Sequence, residues 1–108
     1  MSEVQPSLGS FVNASVTSPV VVKAAPGVVQ TVTIYASTAG YIELFDAAST
    51  SGITPGTTAP RWAMYAPVGV MNADHVNLAF FNGIVIATAT AITSGSTGPS
   101  MVVSVVFD

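Results

Sequence analysis

A chain of 108 residues has the usual size of one domain and is long enough to bury a core of its own. Only 6% of its residues are charged, against about 25% in an ordinary globular domain, and the formal net charge is −3. The absence of cysteine excludes disulfides and thiolate metal sites, and the two cationic side chains, Lys23 and Arg61, are too few for a nucleic-acid surface.

Membrane attachment is not predicted either. A membrane-spanning helix needs about 20 consecutive apolar residues, and the apolar run 20–22 is interrupted at once by Lys23. The first residues contain neither a basic segment nor an apolar stretch, so we expect no secretory signal. A basic amphipathic membrane helix is excluded by the same shortage of cationic side chains.

Residue usage favours strands over helices. Val occurs 17 times and Thr 12 times, whereas Leu occurs only three times. β-branched side chains fit a pleated sheet and lose rotamer freedom in a helix. No window has apolar residues at helical spacing, and the predicted connections are too short for parallel crossovers. The sequence therefore predicts an all-β, antiparallel structure.

The elements follow one another at intervals of 8–12 residues. Residues 1–19 are predicted to form an N-terminal arm with an edge strand over 11–17, and 20–108 a β-sandwich domain. Within that domain, strands are predicted over 20–24, 28–37, 41–46, 60–66, 75–81, 84–92 and 101–107. About eight short strands in this rhythm are typical of a jelly-roll-like β-sandwich.

Alternation within the strands predicts which side chains face the core. In 28–37, Val32, Ile34 and Ala36 share one face. The segment 41–46 is expected to be the hairpin partner of 28–37, with Ile42 and Leu44 directed inward.

Polar segments separate these strands. The Ser, Thr and Gly content of 47–59 predicts an exposed loop, and 93–100 is a second loop of this kind. Asn82-Gly83 predicts a tight turn, with a bulge within one longer strand as the alternative.

Catalytic equipment is not apparent. The single histidine, His75, follows Asp74, but neighbouring residues of a strand point to opposite faces, so Asp74 is poorly placed to orient it. Glu43 and Asp46 are three residues apart in one strand, which separates the two carboxylates that glycoside hydrolysis requires. We expect Glu43 to be a solvated or interface residue and Asp46 to end its strand. We predict no enzyme, no cofactor and no metal site, with a weak hydrolase based on His75 as the catalytic alternative.

Exposed aromatic residues are the candidate interaction groups. Tyr35, Tyr41, Trp62 and Tyr65 would form a stacking platform for carbohydrate if they shared a sheet face, and Phe45 is placed with them as interface or ligand surface. In the alternative interpretation, Trp62 packs in the core and the tyrosines cover a subunit contact. The low charge favours such a contact, because burying uncharged polar atoms costs much less than burying ions. The alternative is a monomer that its hydroxyl side chains keep soluble.

Four segments carry a resemblance to a known group of proteins. They are 21–29 (VVKAAPGVV), 32–35 (VTIY), 40–46 (GYIELFD) and 81–87 (FNGIVIA). Together with the Val-rich last strand, they resemble small β-sandwich structural proteins of tailed bacteriophages over roughly residues 20–108.

The resemblance implies a virion component without an active site, namely a capsid decoration (cement) protein that binds between capsomers and stabilises the phage head. It implies the major capsid protein and copies of the chain itself, as a trimer, as partners. It also implies synthesis in the host bacterial cytoplasm and a final position on the capsid surface. The alternative is a minor tail part or a carbohydrate- or receptor-binding β-sandwich module of the virion.

Overall fold

The computed structural model describes residues 9–13, for which it gives the backbone alone, and residues 18–108. These ranges contain strands and connections but no helix, which confirms the all-β prediction, and they accordingly hold no helix able to cross a membrane. The predicted first strand extends to 14–17, which lie outside the described residues. The strands are β1 Gly9–Asn13, β2 Val20–Lys23, β3 Gly27–Ala36, β4 Gly40–Asp46, β5 Trp62–Ala66, β6 Met71–Phe80, β7 Ile84–Ala89 and β8 Met101–Phe107.

The strands form two antiparallel sheets. Sheet I has the order β1-β8-β3-β6, and sheet II has the order β2-β7-β4-β5. Four of the pairings join an early strand to a late one: β1 to β8, β2 to β7, β3 to β6 and β4 to β5. The chain thus runs outward through β1–β4 and returns through β5–β8, with each returning strand beside its outgoing counterpart.

The predicted hairpin between β3 and β4 is wrong. β3 belongs to sheet I and β4 to sheet II, so residues 37–39 carry the chain from one sheet to the other. The turn at Asn82-Gly83 also joins the two sheets, between β6 and β7. A Cβ at Gly83 would lie 2.5 Å from the carbonyl oxygen of Ala47, so glycine permits a close backbone approach here. Turn chemistry locates a change of direction but does not say which sheet receives the next strand.

One apolar core contains side chains from both sheets. The predicted alternation of β3 is confirmed, since Val32, Ile34 and Ala36 are buried while Tyr35 is exposed. Trp62, Met64, Val76 and Leu78 pack against this core while remaining partly exposed. The fully buried members come from sheet I (Val29, Val32, Ile34, Ala36, Phe80, Met101, Val103, Val105) and from sheet II (Ile42, Leu44, Ala66, Ile84, Ile86).

Strand β6 begins four residues earlier than predicted. Met71 is exposed, whereas Asn72 and Asp74 lie on the half-buried side, so polarity and burial are inverted in this half of the strand. At the edge of a sheet, polar residues on the inner side still reach water, and they discourage pairing with another strand. Asn77 has φ of 46° beside a register shift between β3 and β6, a left-handed conformation that Asn tolerates.

Candidate interaction surfaces

The five aromatic residues predicted to form an interaction surface are divided between the two sheets. Tyr35 lies on the outward side of β3 in sheet I. Tyr41 and Tyr65 pair across β4 and β5 of sheet II, with ring centroids 5.4 Å apart in an edge-to-face arrangement. Trp62 packs against the core, and Phe45 is only 3% exposed. The structure therefore brings together only Tyr41 and Tyr65 of the four rings considered for a carbohydrate platform, and the position of Trp62 agrees with the interpretation in which it packs in the core.

Phe45 is buried because the loop 47–61 folds over the outer face of sheet II. It forms a second apolar cluster with Val85 and Ala87 of β7. Ala47 and Ile53 of the loop pack against that cluster from outside. Sheet II is thus apolar on both faces, and the chain itself covers the part of the outer face around Phe45, while Tyr65 on the same sheet is 52% exposed.

The connection 90–100 crosses the loop 47–61 at Gly56. The N–H of Gly95 donates to the carbonyl oxygen of Gly56 over 2.8 Å. Gly56 has φ of +79°, and a Cβ there would lie 2.5 Å from the backbone nitrogen of Ser96. Pro55 and Gly56 are buried, so the prediction of an exposed loop is wrong at these residues. Its polar composition gave no sign that a second loop crosses it.

Glu43 is a carboxyl group buried beneath this crossing. It lies on β4 between Ala63 and Ala87 of the neighbouring strands and has no exposed surface. The N–H of Gly56 donates to Oε1 over 3.3 Å, while Oε2 has no partner. Desolvation raises the pKa of Glu43 above its ordinary value of 4.5, and the bond from Gly56 offsets part of that rise. The expectation of a solvated Glu43 is wrong, and burial favours its neutral form.

Asp46 anchors the connection between β6 and β7. Its Oδ1 accepts hydrogen bonds from the N–H of Phe81, over 2.9 Å, and of Asn82, over 2.7 Å. Desolvation acts to raise the pKa of Asp46, but bonds from the N–H of Asn82, Phe81 and Gly83 and the charge of Arg61 outweigh it, so the pKa lies below its ordinary value of 3.8. Asp46 ends its strand as predicted and also joins the two sheets.

Both cationic side chains hold neighbouring backbone. Nε of Arg61 donates to the carbonyl oxygen of Ala79 over 2.7 Å, and its guanidinium carbon lies 5.2 Å from the ring centroid of Phe81. Nζ of Lys23 donates to the backbone oxygen of Asp108 over 2.9 Å. Both cations are bonded to backbone oxygens at separate places, so they form no shared basic patch.

An open pocket of about 540 Å³ lies where the loop 47–61 leaves and rejoins sheet II. Its ionic residues, Asp46 and Arg61, are those already bonded to the 79–82 backbone. We therefore interpret the pocket as the junction between the loop and the sheet. Its lining residues are Phe45, Asp46, Ala47, Ile53, Thr58, Ala59, Pro60 and Arg61.

The outer face of sheet I has no such cover among the described residues. Tyr35 lies directly between Met71 of β6 and Val102 of β8, and these side chains are 41%, 69% and 45% exposed. Side chains opposite each other in a sheet have Cβ atoms about 5 Å apart, so the three form one apolar row. Sequence reasoning identified Tyr35 but missed Met71 and Val102, because neither exposure nor strand register is visible in composition.

The rest of this face carries small or hydroxyl side chains. The next row is Ala73, Thr33 and Ser104, and the third is His75, Thr31 and Val106. We call these three rows the bare face. None of its side chains is Asp, Glu, Lys or Arg, and β1, which borders it, has the uncharged sequence GSFVN.

The predicted catalytic alternative gains no geometric support. His75 is exposed on the bare face, and Asp74 lies on the opposite side of β6. Within the described residues, no three His, Asp or Glu side chains come close enough to hold a metal ion.

Comparisons with protein-family models, curated proteins and solved structures find no match to this chain. Its function must therefore be argued from its surfaces.

Proposed function

We propose that this chain is a jelly-roll β-sandwich and a non-catalytic structural protein of a phage virion, where it decorates the capsid and binds between capsomers. The strand orders β1-β8-β3-β6 and β2-β7-β4-β5 support the jelly roll, since a long antiparallel ribbon rolled into two sheets has this pairing. A core shared by both sheets supports their packing face to face. Viral capsid domains are among the proteins built this way.

The bare face is the observation that carries the functional proposal. It exposes an apolar row, and the described side chains of its three strands place no carboxylate or ammonium within it. Such a face is covered by another protein at low desolvation cost. The partners we propose are the major capsid protein and copies of the chain itself. Lys23 and Arg61 are both bonded to backbone oxygens, which supports a surface that does not bind nucleic acid or membrane.

Quantitative mass spectrometry of purified virions tests this function. The phage or prophage that encodes the chain is induced, and its particles are purified by density gradient. We expect the chain in a fixed ratio to the major capsid protein, at hundreds of copies per particle (order of magnitude, as multivalent binding to a repeated lattice requires). A host cytoplasmic enzyme serves as the control for contamination. Purified particles that lack the chain would overturn the proposal.

A second candidate function is a carbohydrate- or receptor-binding module of the virion, including a minor tail part. The observation in its favour is the surface pair Tyr41 and Tyr65, because sugars stack on exposed rings. Glycan-array binding that is lost in Tyr65→Ala and kept in Tyr35→Ala would support it. Trp62→Ala is not a suitable probe, because Trp62 packs against the core. Absence of binding to every glycan counts against this candidate.

A further inference from the structure

Between its two ends, the loop 47–61 is hydrogen-bonded to the rest of the described chain at one residue. Both ends are bonded to neighbouring backbone. In between, the hydrogen bonds that leave the loop are both at Gly56, whose N–H donates to Glu43 and whose carbonyl oxygen accepts from Gly95. The other hydrogen bonds of the loop join its own residues. The position of the loop over sheet II therefore depends on the contacts at Gly56 and on the apolar packing of Ile53.

The side chain beneath this point is poorly placed to carry a charge. Glu43 has no exposed surface, and its Oε1 accepts one hydrogen bond while its Oε2 has no partner. An ionised carboxylate offers about four lone-pair sites to hydrogen-bond donors. One N–H from Gly56 does not replace the water that burial removes. The closed crossing of the loops thus suits the neutral carboxyl group, whereas the carboxylate needs water to reach it.

No described cation is placed to neutralise Glu43. The strands on either side present Ala63 and Ala87 to it. The one cation of the two loops, Arg61, is bonded to backbone of sheet I and lowers the pKa of Asp46, whereas burial and the bond from Gly56 account for the pKa shift of Glu43. The other titratable side chains on the elements packed against Glu43 are Tyr41, Asp46 and Tyr65.

We propose that Glu43 is a pH-sensitive switch: its neutral carboxyl group keeps the crossing of the loops 47–61 and 90–100 closed, and its ionisation opens the crossing. On opening, the bond to Gly56 breaks and water hydrates both carboxylate oxygens. The apolar cluster around Phe45 then loses the cover that the loop gives it. This inference goes beyond the proposed function, because it concerns the isolated chain and does not depend on a virion.

The direction of the pH effect follows from the two states of the crossing. Burial raises the pKa of Glu43 above 4.5 in the closed state, and hydration returns it towards that ordinary value in the open state. The open state therefore binds fewer protons. The equilibrium constant for opening should rise by up to about tenfold per pH unit between 4.5 and the closed-state pKa, and level off above it.

Hydrogen exchange resolved by residue with NMR, from about pH 5 to about pH 8, tests the switch. The N–H groups of Gly56 and Gly95 report on the crossing, because both are hydrogen-bonded there. Glu43→Gln keeps an acceptor for Gly56 and does not ionise, so comparison at equal pH cancels the intrinsic pH dependence of exchange. We expect faster exchange in the parent, by a ratio that grows up to about tenfold per pH unit. Amides of β8, which exchange only on wider unfolding, should be slower at every pH.

Two further variants separate the carboxyl group of Glu43 from other groups. Glu43→Met does not ionise and should show the same pH dependence at Gly95 as Glu43→Gln, although Gly56 then lacks its acceptor. Asp74→Asn removes a carboxyl group of sheet I and should follow the parent at every pH. Circular dichroism confirms that each variant is folded. In the parent, carbon-13 NMR of the Glu43 carboxyl group measures its titration, and the exchange ratio should stop growing above that midpoint.

An exchange ratio that stays constant across the pH series would overturn the inference. Exchange of Gly56 and Gly95 no faster than that of β8 would also overturn it, because the opening would then be global. A titration midpoint at or below 4.5 would show that Glu43 is not buried as described. Loss of the pH dependence in Asp74→Asn would assign it to another carboxyl group. Each of these results leaves the presence of the chain in purified virions untouched, so the proposed function fails or survives separately.

Discussion

The outer faces of the two sheets are both apolar in part, but among the described residues only the outer face of sheet II is covered, in the part around Phe45. On sheet II, Phe45 is buried beneath Ile53, and Glu43 lies under the crossing of two loops. On sheet I, Tyr35 and Met71 occupy outward positions and remain exposed. A similar pattern of outward apolar residues thus has two outcomes. Within the described residues, the long connections 47–61 and 90–100 decide which outer face is covered and which stays exposed.

Replacing one aromatic residue on each face by Ala should give the largest difference between the faces in the free energy of unfolding. Phe45→Ala removes a buried ring and leaves a cavity, so we expect a loss of about 3–5 kcal/mol in the free energy of unfolding. Tyr35→Ala removes an exposed ring and should change it by about 0.5 kcal/mol or less in the dilute monomer. Urea denaturation of both variants measures the difference. Equal losses would contradict the assignment of one face as covered and the other as bare.

The crossing of the loops gives the next largest effect. Gly56→Ala adds a Cβ at positive φ where it meets the backbone of Ser96, and we expect it to cost more than about 2 kcal/mol. Gly52→Ala is the control, because Gly52 has a similar φ of +74° and open space around its Cβ. There the cost should be about 1–2 kcal/mol, from the backbone conformation alone. Thermal unfolding measures both variants. Equal melting temperatures for the two would show that the loops do not cross as described.

Removal of the Asp46 carboxylate tests the anchor between the sheets. Asp46→Ala removes the acceptor of the exposed N–H groups of Phe81 and Asn82, which water then solvates, and should cost about 0.5–1.5 kcal/mol at neutral pH. The folded-state pKa of Asp46 is lowered, so the stability it contributes is present above its ordinary value of 3.8 and is lost as pH falls through the folded-state pKa. The difference between parent and Asp46→Ala should therefore shrink in strong acid. A constant difference at all pH values would show that the charge of Asp46 is not involved.

Replacing the carboxyl group of Glu43 should change the free energy of unfolding by less than Asp46→Ala does, and should raise it at neutral pH. Its folded-state pKa is raised, so its contribution is complete below the ordinary value of 4.5 and is lost as pH rises through the folded-state pKa. Glu43→Gln keeps an acceptor for the N–H of Gly56 and does not ionise. We expect it to be more stable than the parent at neutral pH, with a difference that disappears in acid. Denaturant midpoints of both chains across pH measure this, and a Gln variant that is less stable at neutral pH would show that Glu43 is not held neutral.

The fold was more predictable than the surfaces, for physical reasons. Alternation placed Val32, Ile34 and Ala36 inward because a strand buries every second side chain. The same alternation does not encode the sheet in which a strand pairs, so the β3–β4 hairpin was predicted where a crossing between sheets exists. The burial of Phe45 and Glu43 depends on loops that are distant in sequence and rich in Ser, Thr and Gly. Met71 was missed because its edge strand reverses the usual relation of polarity to burial.

Hydroxyl-radical footprinting of the side chains, with the chain dilute and then concentrated or bound in a particle, tests the contrast of the two faces most directly. In the dilute chain Met71 and Tyr35 should be oxidised and Phe45 protected. On association Met71 and Tyr35 should become protected, while Tyr65 keeps its reactivity. Oxidation of Phe45 in the dilute folded chain, or protection of Tyr65 without protection of Met71 on association, would contradict the account.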